Sequence, residues 1–93
     1  MTLDEPTAPA YVVEVELNAA KAIGKLDRTV QVRILKAIAA LGAEPRPSGA
    51  IKLVGSDGMR IRVGDYRVVY VIDDAVVTVT VVKVGHRSSV YER

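Results

Sequence analysis

The sequence predicts an α+β fold of element order β-α-α-β-β-β: a mostly antiparallel four-stranded sheet with a helical hairpin packed on one face. Three observations carry this. The second half holds runs rich in valine, isoleucine, threonine and tyrosine, broken at Gly64-Asp65 and Asp73-Asp74, which are connections of the kind that close β-hairpins. In the first half, Val30, Ile34, Ile38 and Leu41 recur at spacings of four, four and three, the stripe of an amphipathic helix. The chain has 93 residues, 49% of them apolar, enough for one two-layer core and one domain.

Taken in order, residues Met1 to Ala10 hold two prolines, two threonines and two acids and predict a disordered leader, leaving 11–93 as the single domain. Tyr11 to Glu16 alternates apolar and charged residues, as a half-buried strand does. Asn18 is a candidate N-cap for a first helix to about Lys25, with Ala22, Ile23 and Leu26 toward the core. Asp27 is the candidate cap of a second helix to about Ala43, with Gly42 and Pro45 as its stop. Lys25, Arg28, Arg33 and Lys36 decorate its exposed side and read as an ordinary solvated helix face. Glu44 to Gly49 is a loop, and Ala50 to Val54 a short extended piece before the turn Gly55-Ser56-Asp57-Gly58. Strands follow at Met59 to Val63, Tyr66 to Ile72 and Ala75 to Val84. The last is apolar on both faces around Val76 to Val82, the pattern of a central strand.

Composition excludes several functions. With no cysteine, neither a disulfide framework nor a cysteine-based metal site exists, and one histidine rules out a zinc site of several imidazoles. The expectation is no metal and no cofactor. The chain lacks a run of about 18 apolar residues, so no segment is expected to cross a membrane. It also lacks the charged and apolar regions of a secretory signal. The absence of cysteine fits a cytoplasmic location. Net charge is +2, but its distribution is uneven. Acids gather at Asp4, Glu5, Glu14, Glu16, Asp73 and Asp74, whereas Lys52, Arg60, Arg62, Arg67, Lys83, Arg87 and Arg93 make the second half basic. Such a face points to a specific anionic partner or, more blandly, to a solvated sheet surface.

Strand alternation sharpens the picture. Met59, Ile61 and Val63 point one way, and Arg60 and Arg62 the other. A two-residue loop at Gly64-Asp65 pairs Val63 with Tyr66 and sets Arg62 opposite Arg67. Like charges directly opposite destabilise a sheet, and a bound polyanion or hidden carboxylates would relieve the cost. If Asp73-Asp74 is also a two-residue loop, Ile72 pairs with Ala75 and Arg67 lies opposite Thr80. Thr78, Thr80, Val82, Val84 and His86 then share the arginine face. A three-residue loop sends His86 to the other side. In the preferred register Arg60, Arg62, Arg67 and His86 converge, with Arg87 and Tyr91 just beyond.

This set suits RNA binding or cleavage. Arginine binds phosphate through a planar fork of donors. Cleavage by the RNA's own 2′-hydroxyl requires removal of that proton, stabilisation of charge on pentacovalent phosphorus, and a proton for the leaving 5′-oxygen. Arginines supply the second but not the first, because they stay protonated. His86 is the one side chain titrating near neutrality, and Tyr91 offers a hydroxyl or a surface for base stacking. Each has a plainer role: a structural histidine, arginines that keep a sheet face soluble, a packing tyrosine. Tyr66 and Tyr70 fall on the core side.

Lys25-Leu26-Asp27, the run Met59 to Tyr70 with its Gly64-Asp65-Tyr66-Arg67-Val68-Val69-Tyr70, the turn Asp73-Asp74, and Val84-Gly85-His86-Arg87 ending in Val90-Tyr91 together carry a resemblance. From Tyr11 onward the chain resembles the RelE-like toxins of bacterial type II toxin–antitoxin systems, within the RelE/ParE superfamily. The resemblance implies a metal-independent mRNA interferase that enters the ribosomal A site and cuts mRNA there through 2′-hydroxyl attack. It also implies an inhibitory RelB-like antitoxin as partner. Arg60 and Arg62 match two basic, usually lysine, active-site positions. Arg67 matches the phosphate-binding arginine, Arg87 the arginine after the last strand, and Tyr91 the near-terminal tyrosine held to stack on the message. Two departures stand out: arginines replace the lysines, and His86 precedes Arg87 where some relatives have lysine or arginine. The expected catalytic set is therefore Arg62, Arg67, His86 and Arg87, with Arg60, Arg62, Arg67 and Tyr91 binding RNA. The alternatives are a ParE-like inhibitor of DNA gyrase on the same fold and a non-catalytic RNA-binding module.

Overall fold

Alternation in Val12-Val13-Glu14-Val15 produces strand β1 (Val12–Val15), with Val13 turned to the core and Val12 and Glu14 exposed. The computed structural model describes residues 11–88; the expected leader at 1–10 and Tyr91 lie outside the described residues. Helix α1 (Leu17–Gly24) starts earlier than expected, because extended Glu16, not Asn18, occupies the N-cap position. Ala19 and Ile23, four residues apart, form its buried edge. Helix α2 (Arg28–Ala40) begins after Asp27, whose side chain makes no capping hydrogen bond. It ends short of Ala43 because its last turn tightens: Leu41 N–H donates to the Ile38 carbonyl at 3.0 Å and Gly42 N–H to Ala39 at 3.1 Å, each only three residues back.

The remaining strands are β2 (Ile51–Lys52), β3 (Gly58–Val63), β4 (Tyr66–Asp73) and β5 (Thr78–His86). The sheet has five strands in the order β1-β5-β4-β3-β2, one more than the four expected, because Ile51 and Lys52 pair with Arg60 and Met59 at the edge. β1 runs parallel to β5 and the other pairs are antiparallel. The helical hairpin thus carries the chain from one edge of the sheet to the other. Central β5 fits its two-sided apolar sequence.

The core lies between helices and sheet. Ile23, Ile34, Ile38 and Leu41 meet Val68, Tyr70, Val79, Val81 and Val84. Tyr70 is wholly buried, and its hydroxyl donates to the Pro45 carbonyl at 2.7 Å, so the helix-to-sheet loop is tied to the core. Tyr66 packs at the margin of the same cluster. Both tyrosines are packing residues, as alternation requires.

The β4–β5 connection departs from the sequence reading. Asp73 pairs with Thr78 and Ile72 with Val79, so residues 74–77 form the loop and Ala75 is not in the strand. The cause is the Asp73 carboxylate, which accepts from Ala75 N–H at 3.0 Å and Val76 N–H at 3.3 Å and prolongs the turn. Val77 then takes a left-handed backbone, φ +52°. Farther along, the register shifts at Val69/Tyr70: Tyr70 pairs with Val81 but Val69 with Lys83, leaving Val82 as an extra residue. That β-bulge inverts the faces of everything after it.

Candidate nucleic-acid interface

The β3–β4 hairpin forms in the expected register. Gly64, at φ +60°, supplies the left-handed turn, Val63 pairs with Tyr66, and Arg62 lies directly opposite Arg67. Arg60 lies opposite Val69 on the same face. That outer face has an apolar floor of Leu53, Val69 and Val82, a small cluster separate from the main core. Arg60 and Arg67 are half-buried, with their Nε atoms covered from solvent, while Arg62 is exposed.

The bulge decides who joins them. Thr80 pairs with Val71 and keeps its expected outer position. Arg67, however, lies opposite Gly85 instead of Thr80, and Val84 and His86 pair with Val68 and Tyr66 on the helix side. His86 therefore does not converge with the arginines. Its ring meets Tyr66 edge-on, centroids 5.5 Å apart at 82°. Its Nδ1 lies 3.2 Å from the Ser88 backbone nitrogen and 2.9 Å from the Ser88 hydroxyl. Lys83, opposite Val69, takes the outer position in its stead. The polar positions Thr78, Thr80 and Lys83 carry the signal for this: their spacing slips from two to three.

Arg87 follows β5 and is pinned at the hairpin tip. Its N–H donates to the Asp65 carbonyl at 2.8 Å, and its Nε lies 3.9 Å from the Asp65 carboxylate. Both side chains are more than half exposed, so this ion pair is weak and gives way readily to another anion. Arg60, Arg62, Arg67 and Lys83 thus share the sheet face, and Arg87 stands at its end.

A second charged cluster at the opposite end is a clasp. Tyr11 donates its hydroxyl to Asp74 at 2.6 Å, and Arg46 reaches the same carboxylate at 3.0 and 3.4 Å. Arg46 first, then Tyr11, holds the Asp74 carboxyl below its usual range, and the bond to Asp74 raises the Tyr11 phenol. Three chain segments are tied there, and the donors are already engaged. Among the described residues no cluster of side chains has the composition to hold a metal ion, and no helix is long and apolar enough to cross a membrane.

Residues 13–91 match the family described as the ParE toxin of type II toxin–antitoxin systems. No curated protein is significantly similar in sequence. Solved structures close in fold include three toxins of this kind. The archaeal RelE–RelB complex from Pyrococcus horikoshii matches at 30% identity and TM-score 0.78, over 87% of this chain and 99% of that one. The toxin–antitoxin complex RelBE2 from Mycobacterium tuberculosis matches at 28% and 0.76, over 86% and 100%. The isolated RelE toxin of E. coli matches at 32% and 0.73, over 83% and 84%.

Proposed function

Because the chain belongs to the RelE/ParE superfamily of type II toxin–antitoxin toxins, we propose that it is a ribosome-dependent mRNA endoribonuclease. The observation that carries this reading is the direct opposition of Arg62 and Arg67 on a face that also holds Arg60 and Lys83. A like-charged pair works against its own strands. Phosphate bound between the two guanidinium groups reverses that cost. When the 2′-oxygen attacks phosphorus, negative charge grows on the non-bridging oxygens. Arg62 and Arg67 donate to them, with Arg87 free to swing in from Asp65. The P–O5′ bond breaks, giving a 2′,3′-cyclic phosphate and a 5′-hydroxyl. With His86 on the other side of the sheet, no described residue of this face takes a proton near neutral pH. The 2′-hydroxyl proton leaves to water or to a group contributed by the ribosome, and the departing 5′-oxygen takes its proton back from the same source. Tyr91, expected to stack on the message, keeps that role as a proposal.

The partner under this reading is a RelB-like antitoxin, since two of the structural relatives are toxin–antitoxin complexes. The site of action is the ribosomal A site in the cytoplasm. The family's description as ParE favours a second reading, inhibition of DNA gyrase, which has no need of the arginine face. Expression without antitoxin, followed by timing of translation and supercoiling, separates them. The nuclease stops translation first, and Arg67→Ala relieves it; loss of supercoiling first, indifferent to Arg67→Ala, rejects the nuclease.

A further inference from the structure

The β3–β4 turn is approached from the helix side by a residue that sequence reading left on a solvated face. A Cβ built on Gly64 would meet both terminal nitrogens of Arg33 at 3.4 Å and its central guanidinium carbon at 3.6 Å. The Arg33 guanidinium therefore lies across the turn, although the residue is solvent-exposed. Between them runs a cleft of about 180 Å³ lined by Val30, Arg33, Val63, Gly64, Asp65 and Tyr66. Arg62 and Arg67 form the second pair back from the same turn on the opposite face, and Arg87 is bonded to Asp65 at its tip. Guanidinium groups from α2, β3, β4 and the segment after β5 thus surround one two-residue turn.

We propose that Arg33 is a second grip on RNA: the strand held on the sheet face by Arg62 and Arg67 crosses the Gly64-Asp65 turn and lays a neighbouring phosphate against Arg33. This rests on the RNA-cutting reading and extends it, making the hairpin tip a ridge over which a single strand bends. The chemistry is that of a phosphodiester meeting a planar fork of donors, which lysine matches in charge but not in geometry. The apolar walls of Val30 and Tyr66 offer cover to the adjoining sugar or base.

The test is fluorescence anisotropy with an uncleavable 2′-O-methyl RNA of about ten nucleotides, within the usual span of a single-strand site, and with a trinucleotide. Arg33→Glu is expected to weaken the longer strand about tenfold and to lower its salt slope by about 0.7, one phosphate contact on a single strand. The trinucleotide is unaffected, and Arg33→Lys lies in between. Lys21→Glu, the same charge change on α1, serves as the control for the general field. If Arg33→Glu and Lys21→Glu weaken the longer strand equally, or if the trinucleotide suffers as much as the longer strand, the proposal is wrong. Arg67→Ala distinguishes the failures. Binding that ignores Arg67→Ala rejects the sheet-face reading and the crossing with it. Binding that heeds Arg67→Ala but treats Arg33→Glu like Lys21→Glu rejects the Arg33 grip alone.

Discussion

Arg67 is the residue on which the proposed cleavage depends most. It stands opposite Arg62 on one side and Gly85 on the other. Arg67→Ala should lower cleavage about 10²- to 10³-fold, the scale of losing one preorganised charge-stabilising donor, in a single-turnover assay on programmed ribosomes. His86 is the counter-case. Because it packs against Tyr66 and Ser88, His86→Gln should change the rate less than about threefold, well under 1 kcal/mol. The pH–rate profiles of the wild type and His86→Gln should coincide; a profile changed by the substitution would contradict this placement. In the core, Tyr70→Phe removes the donor to the Pro45 carbonyl and should cost about 1 kcal/mol in urea unfolding. No loss would mean that the bond contributes nothing to anchoring the loop.

The β4–β5 hairpin is the element where sequence and structure part. The Gly64-Asp65 turn was legible because a glycine at a two-residue connection specifies its own backbone, and from it followed the whole pairing of β3 with β4. Asp73-Asp74 carries no such glycine. The Asp73 carboxylate extends the turn, and the register beyond depends on a bulge that no single residue announces. The pairing of Arg60, Arg62 and Arg67 is therefore legible in the sequence, whereas the faces of His86 and Lys83 depend on the bulge. Arg33 was illegible for another reason: its contact with Gly64 depends on how α2 sits on the sheet. Val77 pays for the long loop with a β-branched side chain at φ +52°. Val77→Gly should therefore stabilise the protein by up to about 1 kcal/mol, the relief of left-handed strain less the entropy of glycine; destabilisation would contradict the strain. The neighbouring clasp is pH-dependent. Asp74 is held below its ordinary 3.8, chiefly by Arg46. A carboxyl with a lowered folded value stabilises above its unfolded value and loses that contribution as pH falls through the folded one. Melting temperature should thus drop below about pH 4, and Asp74→Asn should flatten that drop; an equal drop in the variant would clear Asp74 of the effect.

At the scale of the whole molecule, the core lies between the helical layer and one face of the sheet, and the proposed site occupies the other face. The helical hairpin and the inner sheet face bury the core, leaving the outer face with an apolar floor and a rim of cations. The family relationship and the 0.78 TM-score to a RelE structure place this arrangement among toxins, and on the proposed reading the outer face is what makes it a message-cutting toxin. Mapping the 5′ ends of a ribosome-bound message after exposure to the purified toxin tests this most directly. New ends within the A-site codon, bearing 5′-hydroxyls and absent with Arg67→Ala, are predicted. An intact message under a toxin that still arrests growth would contradict the account.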